Sequence, residues 1–387
     1  MTDQVSALPS GRAGEALARL DLDPAEIRRG LNAGNTLPAE LYYDPAVYEL
    51  EQQVVFRRMW HYAGIEQQLA KVGDYVTTEV AGIPLVVVRD EEERLRAHVN
   101  ICRHRLHPVA EGSGNRKTLQ CPYHGWTYGL SGCLRSAPRS EEGALDFDQL
   151  ALLPAHVDAW RGIVFVSLEP DEPLEAYIGG LPDVMDDTHF DWSVLADPSL
   201  YLYSRYEQPL ACNWKVAWEN ALECYHCPIV HRDTFSQHYQ VDVDGYVNGT
   251  YDRGLYGFTS FRTGAGEGLG LGDEQPAISF YWLFPGSSIS GGPKSGGVTL
   301  TRFLPRGPEA CVRLFDNYRI AGVDDTPFQE LTDAFARTLQ EDIGIVARVQ
   351  EAARSGGVRF GTTMPVSETN VRAFNELVWN RLEPAFD

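Results

Sequence analysis

The spacing of hydrophobic positions changes character along the chain. Between Pro38 and Trp60, Tyr48, Leu50, Val54, Val55 and Met59 recur at three-to-four residue spacing, which predicts helix. A short helical stretch near Pro24–Leu31 precedes it. From Val72 the period falls to two. Tyr75–Val80 and Ile83–Val88 are β-rich runs split by Ala81-Gly82, a hairpin signal. Leu95, Ala97, Val99 and Ile101 then alternate with Arg94, Arg96, His98 and Asn100, and Gly162–Leu168 is a further strand. Downstream, Leu200–Glu207, Ala277–Phe284 and Val298–Leu304 read as strands, whereas Pro327–Ser355 and Ser367–Leu382 read as helices. The pattern predicts an α+β protein in which residues 59–168 form a small all-β domain, flanked by 1–58 and 169–387. No internal repeat is present.

Composition narrows the function. The 387 residues carry 33 Lys+Arg against 54 Asp+Glu, a formal charge of −21. That excludes the basic footprint of a nucleic-acid binder or a binder of anionic membrane. There is no signal-peptide core and no run of 18 apolar residues, so the protein is expected to be soluble and cytoplasmic. The seven cysteines are accordingly read as ligands or buried thiols rather than a disulfide framework. The glycine-rich segment Gly264–Gly272 fits neither a dinucleotide-binding nor a Walker loop and is read as a surface loop or lid. No site for a pyridine nucleotide or flavin is visible.

Two clusters carry the chemistry. The first is Cys102-Arg-His104 followed, after 16 residues, by Cys121-Pro-Tyr-His124. Two thiolates and two imidazoles suit tetrahedral zinc. They equally suit a Rieske [2Fe–2S] centre, in which two histidines replace two cysteines on one iron. One Cys and one His per loop is the arrangement that centre needs. Leu106-His107 and Cys133 fall outside the pattern; His107 is read as a partly exposed loop histidine and Cys133 as an inert thiol.

The second cluster is Glu219-x3-Glu223-x2-His226-x4-His231. On a helix Glu223 and His226 would share a face, but His226 and His231 would point about 140° apart. Pro228 lies between them and must bend or end that helix, so both can reach one ion. An open iron site of the two-histidine type needs a carboxylate as third ligand. The 327–355 helix offers Asp342, which falls on the apolar stripe of Leu331, Phe335, Leu339, Val346 and Val349, whereas Glu341 points away from it. A carboxylate facing a core must be paired or metal-bound, which favours Asp342, with an arginine-paired core aspartate or Glu341 as the alternatives.

The flanks of the first cluster, His104-Arg105 and Pro122-Tyr123-His124-Gly125-Trp126, closely resemble the Rieske domain of Rieske non-haem iron oxygenases. The second cluster resembles the catalytic domain of the same family, and the resemblance runs from about Pro38 to Leu382. It implies a Rieske domain inserted into an α+β catalytic domain, an antiparallel sheet with helices of helix-grip type to which 1–58 contributes. It implies a cluster on Cys102, His104, Cys121 and His124, and mononuclear Fe(II) on His226, His231 and Asp342. Glu223 would carry electrons between His124 of one subunit and His226 of its neighbour. The family usually has a small residue where Leu106 stands, so that loop is expected to be shaped differently. Glutamate at 223, the Asn213-Trp-Lys215 and Glu223-Cys-Tyr-His-Cys227 runs and the Gln340-Glu-Asp342 helix are similar to the subgroup acting on quaternary ammonium compounds.

The resemblance therefore implies a terminal oxygenase that uses O₂ to hydroxylate or N-demethylate choline, carnitine, glycine betaine or proline betaine. Aromatic-ring hydroxylation or another specialised Rieske oxygenation is the alternative. Electrons would come from NAD(P)H through a separate flavin or iron–sulfur reductase, directly or by a ferredoxin, and a homotrimer is expected. Competing readings are a Rieske electron carrier, which has no use for the second cluster, a zinc-stabilised binding protein and a zinc hydrolase. A quaternary ammonium has no hydrogen-bond donors and needs aromatic faces or carboxylates. Tyr201, Tyr203, Tyr206, Tyr225, Phe258, Phe261, Tyr281, Trp282 and Phe284 are the aromatic candidates, among which the sequence does not choose.

Overall fold

In the computed structural model, the described residues are 19–141, 143–187, 193–241, 246–251, 254–259, 278–291, 296–323 and 326–386. The Gly264–Gly272 segment and Phe261 lie outside them. The chain divides into two compact units. One covers Phe56–Tyr177; the other, among the described residues, takes in 19–55 and 178–386.

The first unit is all-β. Strands β1 (His61–Ile65), β2 (Asp74–Val80), β3 (Ile83–Arg89), β4 (Leu95–Val99), β5 (Ser113–Asn115), β9 (Pro154–Trp160) and β10 (Ile163–Ser167) form an antiparallel sheet in the order β1-β10-β9-β4-β3-β2-β5. The β2–β3 hairpin turns at Ala81 and Gly82, both at positive φ (51° and 72°), as a two-residue hairpin turn matching strand twist requires. A small sheet of β6 (Leu119–Gln120), β7 (Thr127–Tyr128) and β8 (Leu134–Ser136) carries the second Cys/His pair on its β6–β7 loop. Tyr75, Val86, Val88, Val109, Leu119, Trp126 and Tyr128 form the core beneath that pair.

The second unit joins helices to a seven-stranded antiparallel sheet. Its strands are β11 (Leu200–Leu210), β12 (Tyr246–Tyr251), β13 (Gly254–Thr259), β14 (Ile278–Leu283), β15 (Ser287–Gly291), β16 (Gly297–Gly307) and β17 (Ala310–Ile320), in the order β11-β17-β16-β15-β14-β13-β12. The region expected to be one helix from Pro38 to Trp60 is broken. After α1 (Pro24–Asn32) there is a 3₁₀ turn at Ala39–Tyr42, and a new helix, α2 (Pro45–Glu51), starts where the Asp44 carboxylate accepts from Ala46 N (2.7 Å). An Asp-Pro pair at N-cap and N1 starts a helix rather than continuing one. After a π turn at Gln52–Phe56 the chain leaves for β1.

Helix α3 (Trp214–Ala221) is capped by Asn213, whose Oδ1 accepts from Lys215 N (3.0 Å), and is locked into the core by Trp214, Trp218 and Phe374. Lys215 and Glu51 are both 0% exposed and form an ion pair, supported by Trp214 Nε1 donating to Glu51 (2.8 Å). Short α4 (Cys227–Val230), long α5 (Thr326–Arg354) and α6 (Thr369–Leu382) are the other helices that bear on the site. Gln208 Nε2 on β11 donates to the Leu339 carbonyl, tying α5 to the sheet. No helix among the described residues is long and apolar enough to cross a membrane.

Candidate functional site

The first cluster sits on two loops of matching construction. Asn100, buried after β4, accepts from Val109 N and Ala110 N (3.0 Å each) and donates to the Ala110 carbonyl, pinning the base of the first loop. Within that loop Leu106 N donates to the Cys102 carbonyl (3.0 Å); in the second, Gly125 N donates to the Cys121 carbonyl (3.0 Å). Each turn ends on a left-handed residue, Leu106 at φ 61° and Gly125 at φ 75°. Leu106 therefore occupies a glycine-type position and is 75% exposed, so the loop keeps its turn in spite of the larger residue. Cys102 and Cys121 are buried, while His104 and His124 stand at the surface with ring centroids 4.6 Å apart. Trp126 stacks on His104 at 5.0 Å.

This donor set fits a Rieske cluster: thiols inward, imidazoles outward, one of each per loop. Burial pushes the Cys121 thiol up from its ordinary value. Tyr128 Oη, which accepts from Arg103 N (3.0 Å), has its proton free for Cys102 Sγ at 3.4 Å. His107 is a half-buried loop residue with Nδ1 2.7 Å from the Pro108 carbonyl. Cys133 is exposed, and the Ser131 hydroxyl and Arg135 hold its thiol below the ordinary value.

The second cluster lies in the other unit. Helix α3 ends before Glu223, and Pro228 opens α4 rather than bending a continuous helix, so Glu223 and His226 are loop residues. His226 and His231 flank α4, which turns their Nε2 atoms to within 3.1 Å of each other. Asp342 of α5, 5% exposed, places Oδ1 3.1 Å from His231 Nε2 and 3.7 Å from His226 Nε2. Three donors about 3 Å apart can share one ion at ~2 Å, and the set fits the two-histidine, one-carboxylate iron site.

Carboxylates hold the far nitrogen of both rings. Glu223 grips His226 Nδ1, and its other oxygen accepts from the backbone N–H groups of Tyr225 and His226. Glu341 accepts from His231 Nδ1 (2.8 Å) and Thr234 Oγ1 (2.7 Å). Glu341 was expected to point away from the site; instead the His231–Thr234 loop packs beside α5 and meets two successive carboxylates. Burial of His231 favours its neutral form, but Asp342 and Glu341 outweigh this and raise its pKa. Burial likewise opposes the Asp342 anion, and the hydrogen bond and charge of His231 overcome it, so its pKa is lowered.

The cysteines here also depart from expectation. Cys224 and Cys227 are neither ligands nor free thiols but are joined by a disulfide, their Cα atoms 5.0 Å apart across the turn. Cys227 lies beside both histidines, and its sulfur is committed to Cys224.

A cavity opens on the three donors. Its aromatic wall comes from Phe235, Tyr246, Phe280, Trp282, Phe303, Phe315 and Phe335. Of the described aromatic residues singled out by sequence only Trp282 lines it; Tyr281 and Phe284 are core. Phe280 and Trp282 stack at 5.6 Å, Phe335 lies 6.4 Å from Phe280, and Phe315 lies 6.2 Å from Phe335.

Residues 59–155 match the family described as Rieske [2Fe-2S] domain, and 191–383 match that described as ring hydroxylating alpha subunit (catalytic domain). The oxygenase subunit of carnitine monooxygenase from Escherichia coli K12 is 30% identical over 349 residues, covering 84% of this chain and 86% of that protein. Chloroplastic choline monooxygenase of Spinacia oleracea is 29% identical over 355 residues, covering 88% and 77%. The crystal structure of a quaternary ammonium Rieske monooxygenase with L-carnitine aligns at TM-score 0.77 and 25% identity, covering 97% of this chain and 99% of that one. The fold is shared with naphthalene 1,2-dioxygenase from Rhodococcus (TM-score 0.74, 22% identity, covering 93% and 98%). The chain belongs to the Rieske non-haem iron oxygenases, as a catalytic alpha subunit. It is an oxidoreductase of the monooxygenase and dioxygenase class, with a Rieske centre and non-haem iron as its cofactors.

Proposed function

We propose that this chain is the terminal oxygenase of a system that hydroxylates or N-demethylates a small quaternary ammonium compound. The observation that carries the reading is the cavity: three converging metal donors face a wall of aromatic rings, the surface that a cation without hydrogen-bond donors requires. The similarity to carnitine and choline monooxygenases supports it.

Cys102, His104, Cys121 and His124 would hold the cluster, and His226, His231 and Asp342 the iron. The two metal groups together supply single electrons and O₂ activation. The residues of the chain aim the donors and shape the space. Glu223 and Glu341 hold the histidine Nδ1–H groups, so both rings present Nε2 to the ion. Asn220 Nδ2, 3.3 Å from Asp342 Oδ1, steadies the third donor. The aromatic wall excludes water and carries the substrate cation. An N-methyl group hydroxylated there becomes a carbinolamine, which releases formaldehyde. Glu223 would also pass electrons from His124 of a neighbouring subunit to His226. We infer a homotrimer, fed by a separate reductase and working in the cytoplasm. Inter-subunit electron transfer, described for a quaternary ammonium Rieske monooxygenase that aligns over 97% of this chain, supports the assembly.

Single turnover tests the proposal. Reduced, iron-loaded protein receives choline, glycine betaine, carnitine, proline betaine or simple aromatic acids, then O₂. Formaldehyde or betaine aldehyde from an ammonium compound is expected. A hydroxylated aromatic product alone would overturn the substrate class while leaving the oxygenase.

A further inference from the structure

Arg313 has no partner that accounts for its position. It lies on β17, lines the cavity and is 3% exposed. Its Nε and Nη2 find no hydrogen-bond partner among the described residues. The guanidinium lies over the rings of Phe303 and Phe315, at 5.3 and 5.8 Å. Asp342, the acid nearest in effect, turns Oδ1 to His231, His226 and Asn220. Gln208 Oε1, on the residue directly opposite in β11, also lacks a partner, but one amide oxygen can serve few of the five guanidinium donors and carries no charge. A buried cation thus borders the substrate space with no anion hydrogen-bonded to it, and only the charge of Asp342 nearby. Such a group is costly unless a counter-ion arrives with the ligand.

We propose that Arg313 is a carboxylate anchor, and that the substrate is a zwitterion carrying both a carboxylate and a quaternary ammonium rather than a bare cation of the choline kind. This rests on the quaternary ammonium reading above. The planar guanidinium edge matches a carboxylate in a bidentate pair. From Phe315, which flanks Arg313, the aromatic wall runs through Phe335 and Phe280 to Trp282. A betaine that seats its carboxylate on Arg313 lays its methylated nitrogen on those rings, within the cavity that the metal donors border. A bare cation would add a second positive charge beside a guanidinium that no hydrogen-bonded anion balances.

Matched ligand pairs test this: glycine betaine with choline, proline betaine with N,N-dimethylpyrrolidinium, and γ-butyrobetaine with butyltrimethylammonium. Binding is read by calorimetry on the iron-loaded protein, and oxidation by formaldehyde released in one turnover. In the wild type the carboxylate member of a productive pair should bind roughly 30- to 100-fold tighter. R313M should erase that preference without weakening the cationic member, and R313K should keep part of it. Circular dichroism, iron content and the cluster spectrum check that the variants are folded, and the wild-type comparison stands without them. Equal binding of the two members by wild type, or a preference retained in R313M, overturns the anchor while quaternary ammonium turnover stands. If no ammonium compound is oxidised, the functional reading fails instead. The anchor is then judged on benzoate against benzamide: discrimination lost in R313M upholds it, and discrimination retained overturns it.

Discussion

Glu341 holds His231, and the structure sets what removing its charge should do. The carboxylate accepts from His231 Nδ1 at 2.8 Å and from Thr234 Oγ1 at 2.7 Å, on a side chain only about a third exposed. E341Q keeps an acceptor oxygen at the same reach but removes the negative charge. Outer carboxylates of this kind are worth about 10- to 100-fold in metal affinity, or roughly 1.4 to 2.8 kcal/mol. E341A, which also frees the ring, should fall at the upper end or beyond. The assay is chelator competition for iron, with the electron paramagnetic resonance of the nitric oxide adduct as a second readout. In the metal-free protein His231 should titrate at lower pH in E341Q, because one of the charges that raises it has gone. E351Q, an exposed carboxylate on the same helix, is the control and should change nothing. Iron affinity within twofold of wild type and an unmoved His231 titration would refute the assigned role.

Three further outcomes are expected. K215M strands Glu51 as a buried charge and should cost about 3–5 kcal/mol, read by thermal unfolding, whereas E51L/K215M should recover most of it. Burial pushes the Glu219 carboxyl up to about 7 from an ordinary 4.5, in spite of the hydrogen bond from Tyr42. The folded state therefore holds a proton that the unfolded chain has released, and stability should fall by about 3 kcal/mol as pH rises from 4.5 through 7. E219Q should flatten that slope in denaturant titrations at pH 5 and 8; a slope unchanged by the substitution would count against the assignment. L106N should raise stability by about 1 kcal/mol, followed in denaturant through the visible absorption of the cluster, because asparagine tolerates the left-handed backbone that leucine resists.

What could be read from the sequence was local. The two Cys/His pairs stand within three and four residues, and their turns close on themselves, so spacing alone marked them. Asp342 was legible because a carboxylate on an apolar stripe needs a partner. Glu341 was not, because its role depends on where a loop 110 residues away in sequence comes to rest. The break at Asp44-Pro45 did leave a signal, an N-cap followed by proline, which the hydrophobic spacing masked. Strand β17 escaped notice because Arg313, Asp316 and Arg319 are buried within it, and buried charges hide a strand's alternation. The cavity wall escaped for a different reason. It is set by the register of Thr301 against Phe315 and of Phe303 against Arg313, which only the assembled sheet decides.

The order of the donors along the chain gives the two centres different histories during synthesis. The four donors proposed for the cluster lie between residues 102 and 124, within a compact unit bounded by Phe56–Tyr177. The donors proposed for the iron bracket strands β12 to β17, so the last of them, Asp342, is made roughly 220 residues after His124. At about 5–20 residues per second that gap is on the order of 10–40 s. The cluster loops can close on their turns while the ribosome is still translating the sheet, and the iron pocket has no third wall until that sheet is nearly complete. The order of the sequence would thus let the electron-carrying unit receive its cluster before a place for the oxygen-activating metal exists.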